Sequence, residues 1–458
     1  MLTSSRSRPQ ADLVPPDSGA ARAPGWLGSS VSGPGLLWAL LFLAISASPW
    51  VLTQTPRGLL GHIHHARALG PLVALGFGVL ILLARTAVGA RPAPMGGAVR
   101  PWFGYALLGV GGALTSPNVP FALWWAAAYL GCVVVSWTFV DAPTPLERLQ
   151  RARHLNYWTW AMACGLFLVL LYITRGNLFA TTGSGLSGYG VSNRVRSFGG
   201  VTMVRASGLA RSAAIPALFA FVLAWKRRGP ERVLWGAVAV GCAAVVVLMQ
   251  SRGATLSLAA GIAFAMLFMG RASRYLGIAM FLGILAVTIF GSELGVETEG
   301  ARAFLNREEY SQRREITSGR TRDWGIAFDK IQESPLWGFG PQADRFFFGF
   351  HVHNTYLYAW LTAGLGGLLL FVLGLARAWR CLWRGARAGT VRLLGQEVAF
   401  IQAGSLLAFF TLRGIPEVSG SMFGIDTMLM LPAIAWLSAL EEVRLEREGA
   451  GSPPEASS

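Results

Sequence analysis

The chain has 458 residues, 53% hydrophobic and only 14% charged, with a formal net charge of +16. A soluble chain carries roughly 25% charged residues, and here the deficit is uneven: long charge-free stretches alternate with short arginine-rich ones, which excludes an ordinary water-soluble globule. The positive charge fits loop ends that fix orientation in a membrane, and no basic helix or aromatic-interleaved stripe argues for a nucleic-acid partner.

Residues 1–34 are rich in Pro, Ser, Gly and Ala without apolar periodicity, the composition of a disordered tail. The first apolar span, 35–53, contains Ser46-Ala47-Ser48, which resembles a leader cleavage site. The long preceding tail and the many later spans favour a retained first helix. Further spans follow at 69–84, 102–115, 121–140, 157–174, 212–225, 233–250, 254–270, 275–292, 355–376, 395–412 and 426–440, giving twelve in all. Each is near the length that crosses about 30 Å of hydrocarbon, although several are short. The third and fourth are separated by Ser116-Pro117-Asn118, and the seventh and eighth by Ser251-Arg252-Gly253, so either pair fits a re-entrant hairpin as well. Cys132, Cys164 and Cys242 fall in spans and Cys381 in an arginine-rich loop, so they read as apolar filler rather than disulfide partners or metal ligands.

Arginine placement sets the expected orientation. With a cytoplasmic N-terminus, the inner connections hold Arg85, Arg91 and Arg100; Arg148, Arg151 and Arg153; Lys226 to Arg232; Arg271 and Arg274; and Arg377 to Arg392. The even helix count returns the C-terminal tail, 441–458, to the same side. Outer connections are sparsely charged except for two long ones, 175–211 and 293–354. Loops of that length in a compact protein tend to carry function.

The first of these holds Arg175, Arg194, Arg196, Arg205 and Arg211 without an acidic residue, among glycines that include Gly183, Gly185, Gly188, Gly190, Gly199 and Gly200. Lipid headgroups or a phosphate ligand fit such a loop, because guanidinium grips phosphate bidentately. Arg252, between two apolar spans, either snorkels or reaches a phosphate. In the second loop Ser318-Gly319-Arg320-Thr321-Arg322 precedes an amphipathic helix with Trp324, Phe328 and Ile331 on one face, stopped by Ser334-Pro335 and Gly338-Phe339-Gly340-Pro341. That helix is expected to lie on the membrane or to cap the bundle. The loop ends at His351-Val352-His353-Asn354, directly before the tenth span. A metal half-site with Asp344 nearby, an interfacial anchor and a general base all fit these histidines. His62, His64 and His65 sit in an outer loop without surrounding arginines and read as surface residues with weak metal affinity. Outer-face arginines with a histidine suggest a reaction on a lipid-linked phosphate or pyrophosphate.

Several motifs in this order resemble the O-antigen ligase and polymerase superfamily of bacterial inner-membrane glycosyltransferases, over about residues 60 to 440. His353-Asn354 followed by Gly364-Leu365-Gly366-Gly367 is similar to its His-Asn…Gly-x-x-Gly signature. Arg205-Ala206-Ser207-Gly208-Leu209 is similar to its Arg-x-x-x-Leu element. Ser251-Arg252-Gly253 and Gly319-Arg320…Trp324…Pro335-Leu336-Trp337-Gly338-Phe339-Gly340 match further stretches.

The resemblance implies an all-α polytopic membrane protein of about twelve transmembrane helices, GT-C-like. Residues 35–292 would hold helices one to nine, 293–354 a large periplasmic catalytic loop and 355–440 helices ten to twelve. It implies inverting, metal-independent transfer without a cofactor. The donor would be an undecaprenyl-pyrophosphate-linked glycan, and the acceptor lipid A–core or a second lipid-linked glycan, among membrane lipids. By position His353 would be the base, and Arg205, with Arg252, Arg320 and Arg322, the pyrophosphate ligands. Asn354, His351, Gly364 and Gly367 would support them. Both termini would be cytoplasmic and the site periplasmic. The His-Asn…Gly-x-x-Gly match leans towards a ligase. A polymerase of O-antigen or exopolysaccharide is the alternative, and a flippase or transporter of lipid-linked sugars a second one. Transporters keep ionisable residues inside their spans, and here Glu397 is the main such residue.

Overall fold

The computed structural model describes residues 33–45, 59–174, 194–196, 202–249, 251–290, 320–387 and 389–450. The described chain is helical apart from one short hairpin. Its first half runs α1 (Gly33–Leu43), α2 (Leu59–Ala87), α3 (Val99–Ala113), α4 (Val119–Val140), α5 (Pro145–Thr174), β1 (Arg194–Arg196), β2 (Thr202–Arg205), α6 (Ala206–Lys226) and α7 (Gly229–Leu248). There follow α8 (Arg252–Met266), α9 (Arg271–Phe290), α10 (Arg320–Glu333), α11 (Ala343–Phe348), α12 (Thr355–Arg387), α13 (Thr390–Leu393), α14 (Glu397–Arg413) and α15 (Ile425–Ala450).

Every one of the twelve apolar segments carries a helix, but six qualify by length and composition as membrane crossings: 65–87, 119–140, 145–172, 207–226, 229–248 and 355–387. Among the others, α1, α3, α8 and α14 have 11, 15, 15 and 17 residues, and α15 carries Asp426 in its first turn and a charged C-terminal third. The expectation that 175–211 is all loop is corrected. β1 and β2 pair antiparallel, with Arg194 opposite Arg205, and α6 begins at Ala206, so Arg211 is helical. Arg175 lies outside the described residues.

Helix ends follow local chemistry. Asn118 accepts the Phe121 N–H at 3.2 Å, with Pro120 in the first turn, and so starts α4 directly after α3. Core and lipid faces separate along the chain. From Ile425 to Leu440 α15 is buried throughout, and it packs on α3, α4, α5, α12 and α14. By contrast α7 is apolar yet buries only Cys242 and Val246. A helix that is apolar all round and exposed is one solvated by lipid.

The charged connections sort to two ends. At one end Arg85 pairs with Asp141, Arg148 with Glu442, Lys226 with Glu397, and Arg384 with Glu441. At the other, Arg211 pairs with Asp426 and Arg320 with Glu417, and Thr115 Oγ1 donates to Gly338 O. The second end carries the site.

One departure from regular helix shapes that end. α12 breaks at Ala363-Gly364, where Gly364 takes φ +65°. The broken backbone is filled by the segment after α10. Phe339 N–H donates to Leu361 O at 2.7 Å, Gly340 N–H to Thr362 O at 3.0 Å, and Leu365 N–H to Pro335 O at 2.8 Å. These bonds satisfy the groups the break would orphan, which apolar surroundings require. Gly338, at φ +71°, passes so close that a Cβ there would press on the Leu361 carbonyl and the Gly364 amide. Held this way, α10 caps the bundle, one of the two expected positions. Its Ala327 and Ile331 are buried with Ala343, Val352 and Leu361, and Trp324 packs beside them, while Phe328 stays exposed.

Gly364→Ala combines a positive φ with overlap of the Leu336 carbonyl oxygen. It is expected to cost about 3 kcal/mol or more, since a positive φ with extended ψ is open essentially to glycine alone and by itself costs about 1–3 kcal/mol. Gly366→Ala meets only the flexible end of Leu108 and is expected to stay within about 1 kcal/mol. Thermal unfolding in detergent, followed by tryptophan fluorescence, separates the two, and equal losses would contradict this account of the break.

Candidate active site

The segment between α11 and α12 is short and tightly held. Asn354 Oδ1 accepts the N–H groups of Tyr356 and Leu357 at 2.9 and 3.0 Å and so caps α12. Its amide donates to Ile415 O at 3.1 Å, and Thr355 N–H donates to Gly414 O at 2.8 Å. Thr355 Oγ1 donates to Glu417 O at 2.9 Å. The start of α12 is thereby fastened to the connection between α14 and α15, residues 414–424.

His353 stands where those two segments meet. Its backbone has φ +50°, one of two positive values among the described non-glycine residues. Such strain costs on the order of 1–3 kcal/mol and collects at functional sites. Trp324 Nε1 donates to the His353 carbonyl at 3.3 Å, and His353 Nδ1 lies 3.1 Å from Glu417 Oε2. The other carboxylate oxygen of Glu417 takes Arg320 Nη2 at 3.0 Å. Burial opposes charge on Glu417, but the His353 hydrogen bond and the charges of Arg413 and Arg320 outweigh it and hold the carboxyl down at about 2. Glu417 is therefore ionised and can only accept, so the hydrogen between the two groups sits on His353 Nδ1. A neutral imidazole bound this way carries its lone pair on Nε2.

A second set of charges lies beside the first. Arg211 Nη1 is 3.2 Å from Asp426 Oδ1, Arg413 Nε is 3.8 Å from Oδ2, and Ser419 Oγ donates to Oδ2 at 2.9 Å. Arg413 and Asp426 are buried. The site thus contains three arginines, 211, 320 and 413, against two carboxylates, and it keeps a net positive charge.

The arginines expected at the site occupy different places. Arg320 reaches His353 through Glu417. Arg252 opens α8, and the next residue, Gly253, lies against the Pro416 ring, which puts the α8 start beside the Glu417 connection. Arg205 ends β2 immediately before α6, the helix that brings Arg211 to Asp426. Arg322 is exposed on the first turn of α10. Gly364 makes the α12 break, and Gly367 packs against Ala363 and Tyr105.

His351 and His353 do not share a carboxylate. Asp344 binds His351 and Glu417 binds His353. Among the described residues no three His, Cys, Asp or Glu converge on one point. His62 and His65 lie on the first turns of α2 and are exposed.

Glu417, Arg413 and Asp426 were not legible as site residues. The last outer connection looks short and sparsely charged. The usable signal is Arg413-Gly414-Ile415-Pro416-Glu417, where an acid and a base flank a turn just past an apolar span.

Residues 237–372 match the family model described as O-antigen ligase. The match covers under a third of the chain and includes Arg252, Arg320, Arg322, His351, His353, Asn354, Gly364 and Gly367, but neither Arg205 nor Glu417. It assigns this segment to the O-antigen ligase and polymerase superfamily. A comparison with curated proteins gave no match.

Glu417→Gln leaves the cations of Arg320 and Arg413 without their carboxylate. The expected loss is on the order of 2 kcal/mol at neutral pH, the scale of a hydrogen bond to a charged group. The sign with pH is fixed by the direction of the shift. A depressed folded value means the stabilisation is whole above the ordinary carboxylate range, near 4.3, and is lost as pH falls towards about 2. Thermal midpoints measured from pH 7 to pH 2.5 should therefore converge for wild type and E417Q at the acid end, and parallel curves would contradict the pairing.

Proposed function

We propose that this member of the O-antigen ligase and polymerase superfamily is a membrane glycosyltransferase of the GT-C-like, twelve-helix type. It would move a glycan en bloc from undecaprenyl pyrophosphate to an acceptor hydroxyl at the periplasmic face of the bacterial inner membrane. The observation that carries the reading is the His353–Glu417 pair. It supplies an oriented base next to several arginines, at one end of a bundle whose other faces are apolar.

The residues divide the work as follows. His353 Nε2 accepts the proton of the acceptor hydroxyl as that oxygen attacks the anomeric carbon. Glu417 holds the Nδ1–H and stabilises the imidazolium that forms. The bond to the donor's phosphate oxygen breaks with inversion, and the departing pyrophosphate is stabilised by guanidinium groups. Arg252 and Arg320 are supported in that role by their places around the Glu417 connection. Arg205 is supported by its position before α6, and Arg322 by its place on α10 beside Arg320. The lean towards ligase, with lipid A–core as acceptor, rests on the His-Asn…Gly-x-x-Gly spacing. A polymerase would use the same base and cations.

His353→Ala should lower transfer by about 10²–10⁴-fold, the usual worth of a general base, while the protein still accumulates in membranes. Arg252→Lys should also reduce turnover, because a point charge does not replace a bidentate fork. Wild-type turnover in either variant removes that residue from its role, and a loss of activity in EDTA would reopen the metal reading of the histidines. Surface polysaccharide from a deletion strain then identifies the acceptor. Uncapped lipopolysaccharide core with accumulated lipid-linked polymer means ligase. A single repeat on the core means O-antigen polymerase, and loss of exopolysaccharide alone means a polymerase of that pathway.

A further inference from the structure

The turn that follows α10, Ser334 to Gln342, carries no charged residue, and two of its large side chains point away from the bundle. Leu336 and Trp337 are 64% and 70% exposed. Large apolar side chains left open next to each other, on a backbone fastened to its neighbours, call for an apolar partner.

Two helices fix the level of this turn along the bundle. On α12, a Cβ at Gly364 would strike the Leu336 carbonyl and the Trp337 amide, so the turn crosses α12 there. Arg377 follows 13 residues later, about 20 Å along the helix. On α3, a Cβ at Gly112 would press on the Trp337 carbonyl and the Gly340 amide. Gly112 stands 13 residues after Val99, again about 20 Å. The two measures share an origin, because Arg377 Nη1 donates to Gly97 O at 3.1 Å, beside the start of α3. Exposed Arg377 opens the arginine-rich end of α12, and such residues mark the edge of the hydrocarbon. The hydrocarbon is about 30 Å deep, so the turn lies about 10 Å inside its opposite edge. Any tilt of the helices sets it deeper.

Irregular backbone persists at that depth only where protein satisfies its polar groups. Gly338 N–H donates to Ser334 O at 3.0 Å, and the Phe339 and Gly340 N–H groups go to α12. Trp360 Nε1 donates to Pro335 O at 2.9 Å, and Thr115 Oγ1 to Gly338 O at 3.1 Å. Pro335 and Pro341 have no N–H to satisfy.

We infer that Ser334–Pro341 is a re-entrant turn of the membrane, which enters the leaflet on the site side and sets Leu336 and Trp337 against the acyl chains of bilayer phospholipid. Its backbone is held by protein and its two open side chains are solvated by lipid. Leu107 and Leu114 of α3 and Leu369 of α12, on the helices the turn crosses, are exposed apolar residues of the same kind. The cap helix α10, which carries Arg320, is thereby fixed in height against the bilayer. The inference needs the membrane but not the transfer reaction.

The unmodified protein tests it, in vesicles containing a phospholipid with a photoreactive diazirine in its acyl chain. After irradiation and trypsin digestion, the peptide 331–345 should carry label at Leu336 or Trp337, in yield comparable to the peptide 233–252 from exposed α7. An unlabelled 331–345 peptide beside a labelled 233–252 peptide overturns the inference. A nitroxide at Trp337→Cys, with the four native cysteines replaced by alanine, then separates lipid from water and from protein. It should relax with oxygen but not with a water-soluble nickel chelate, as a nitroxide at Leu369→Cys does, whereas one at Arg322→Cys should respond to nickel. A Trp337 nitroxide that nickel reaches places the turn in water. Spin–spin coupling between labels on two chains places a second copy of the protein there. Either result overturns the inference.

Discussion

A carboxylate buried among cations has no choice of role, and the arrangement of this site follows from one such group. Glu417 accepts from His353 at one oxygen and from Arg320 at the other, with Arg413 close behind. Because it stays ionised, it fixes which ring nitrogen of His353 carries hydrogen. Because it is shared, it ties α10, α12 and the connection between α14 and α15 to a single point. The positive φ at His353 is held from two sides: the 414–424 connection takes its side chain and the next residue, and α10 takes its carbonyl.

The scaffold beneath serves that point. The break in α12 at Gly364 is filled by the backbone of 335–340, so the cap helix α10 is fastened to the bundle by main-chain hydrogen bonds as well as by its apolar face. Residues far apart in sequence thus reach the same region: Thr115 at the end of α3, Gly338 after α10, and Thr362 in α12. Glycine is needed where backbones meet with no room for a Cβ, which gives the Gly-x-x-Gly spacing a packing reason independent of chemistry.

Basic side chains outnumber acidic ones at both ends of the bundle. At the far end Arg85 pairs with Asp141 and Arg148 with Glu442, while Glu397 takes both Lys226 and Arg392 and Glu441 takes both Arg384 and Arg444. At the site end, three arginines face two carboxylates, and the surplus positive charge suits an anionic substrate.

The apolar segments, the arginine punctuation and the two long connections were plain in the sequence, because lipid as solvent imposes composition directly on each segment. His353-Asn354 and its spacing to Gly364 were equally local, and so was the cap helix. The tertiary structure alone decided that Asn354 ties α12 to 414–424, that Gly364 breaks α12, and that Glu417, Arg413 and Asp426 belong to the site. Those facts depend on pairings between residues distant in sequence, 64 residues from His353 to Glu417 and from Thr355 to Ser419, where neither periodicity nor spacing carries a signal. A single glutamate in a short connection reads the same whether it faces water or holds a base, and only the neighbours that folding brings to it settle which.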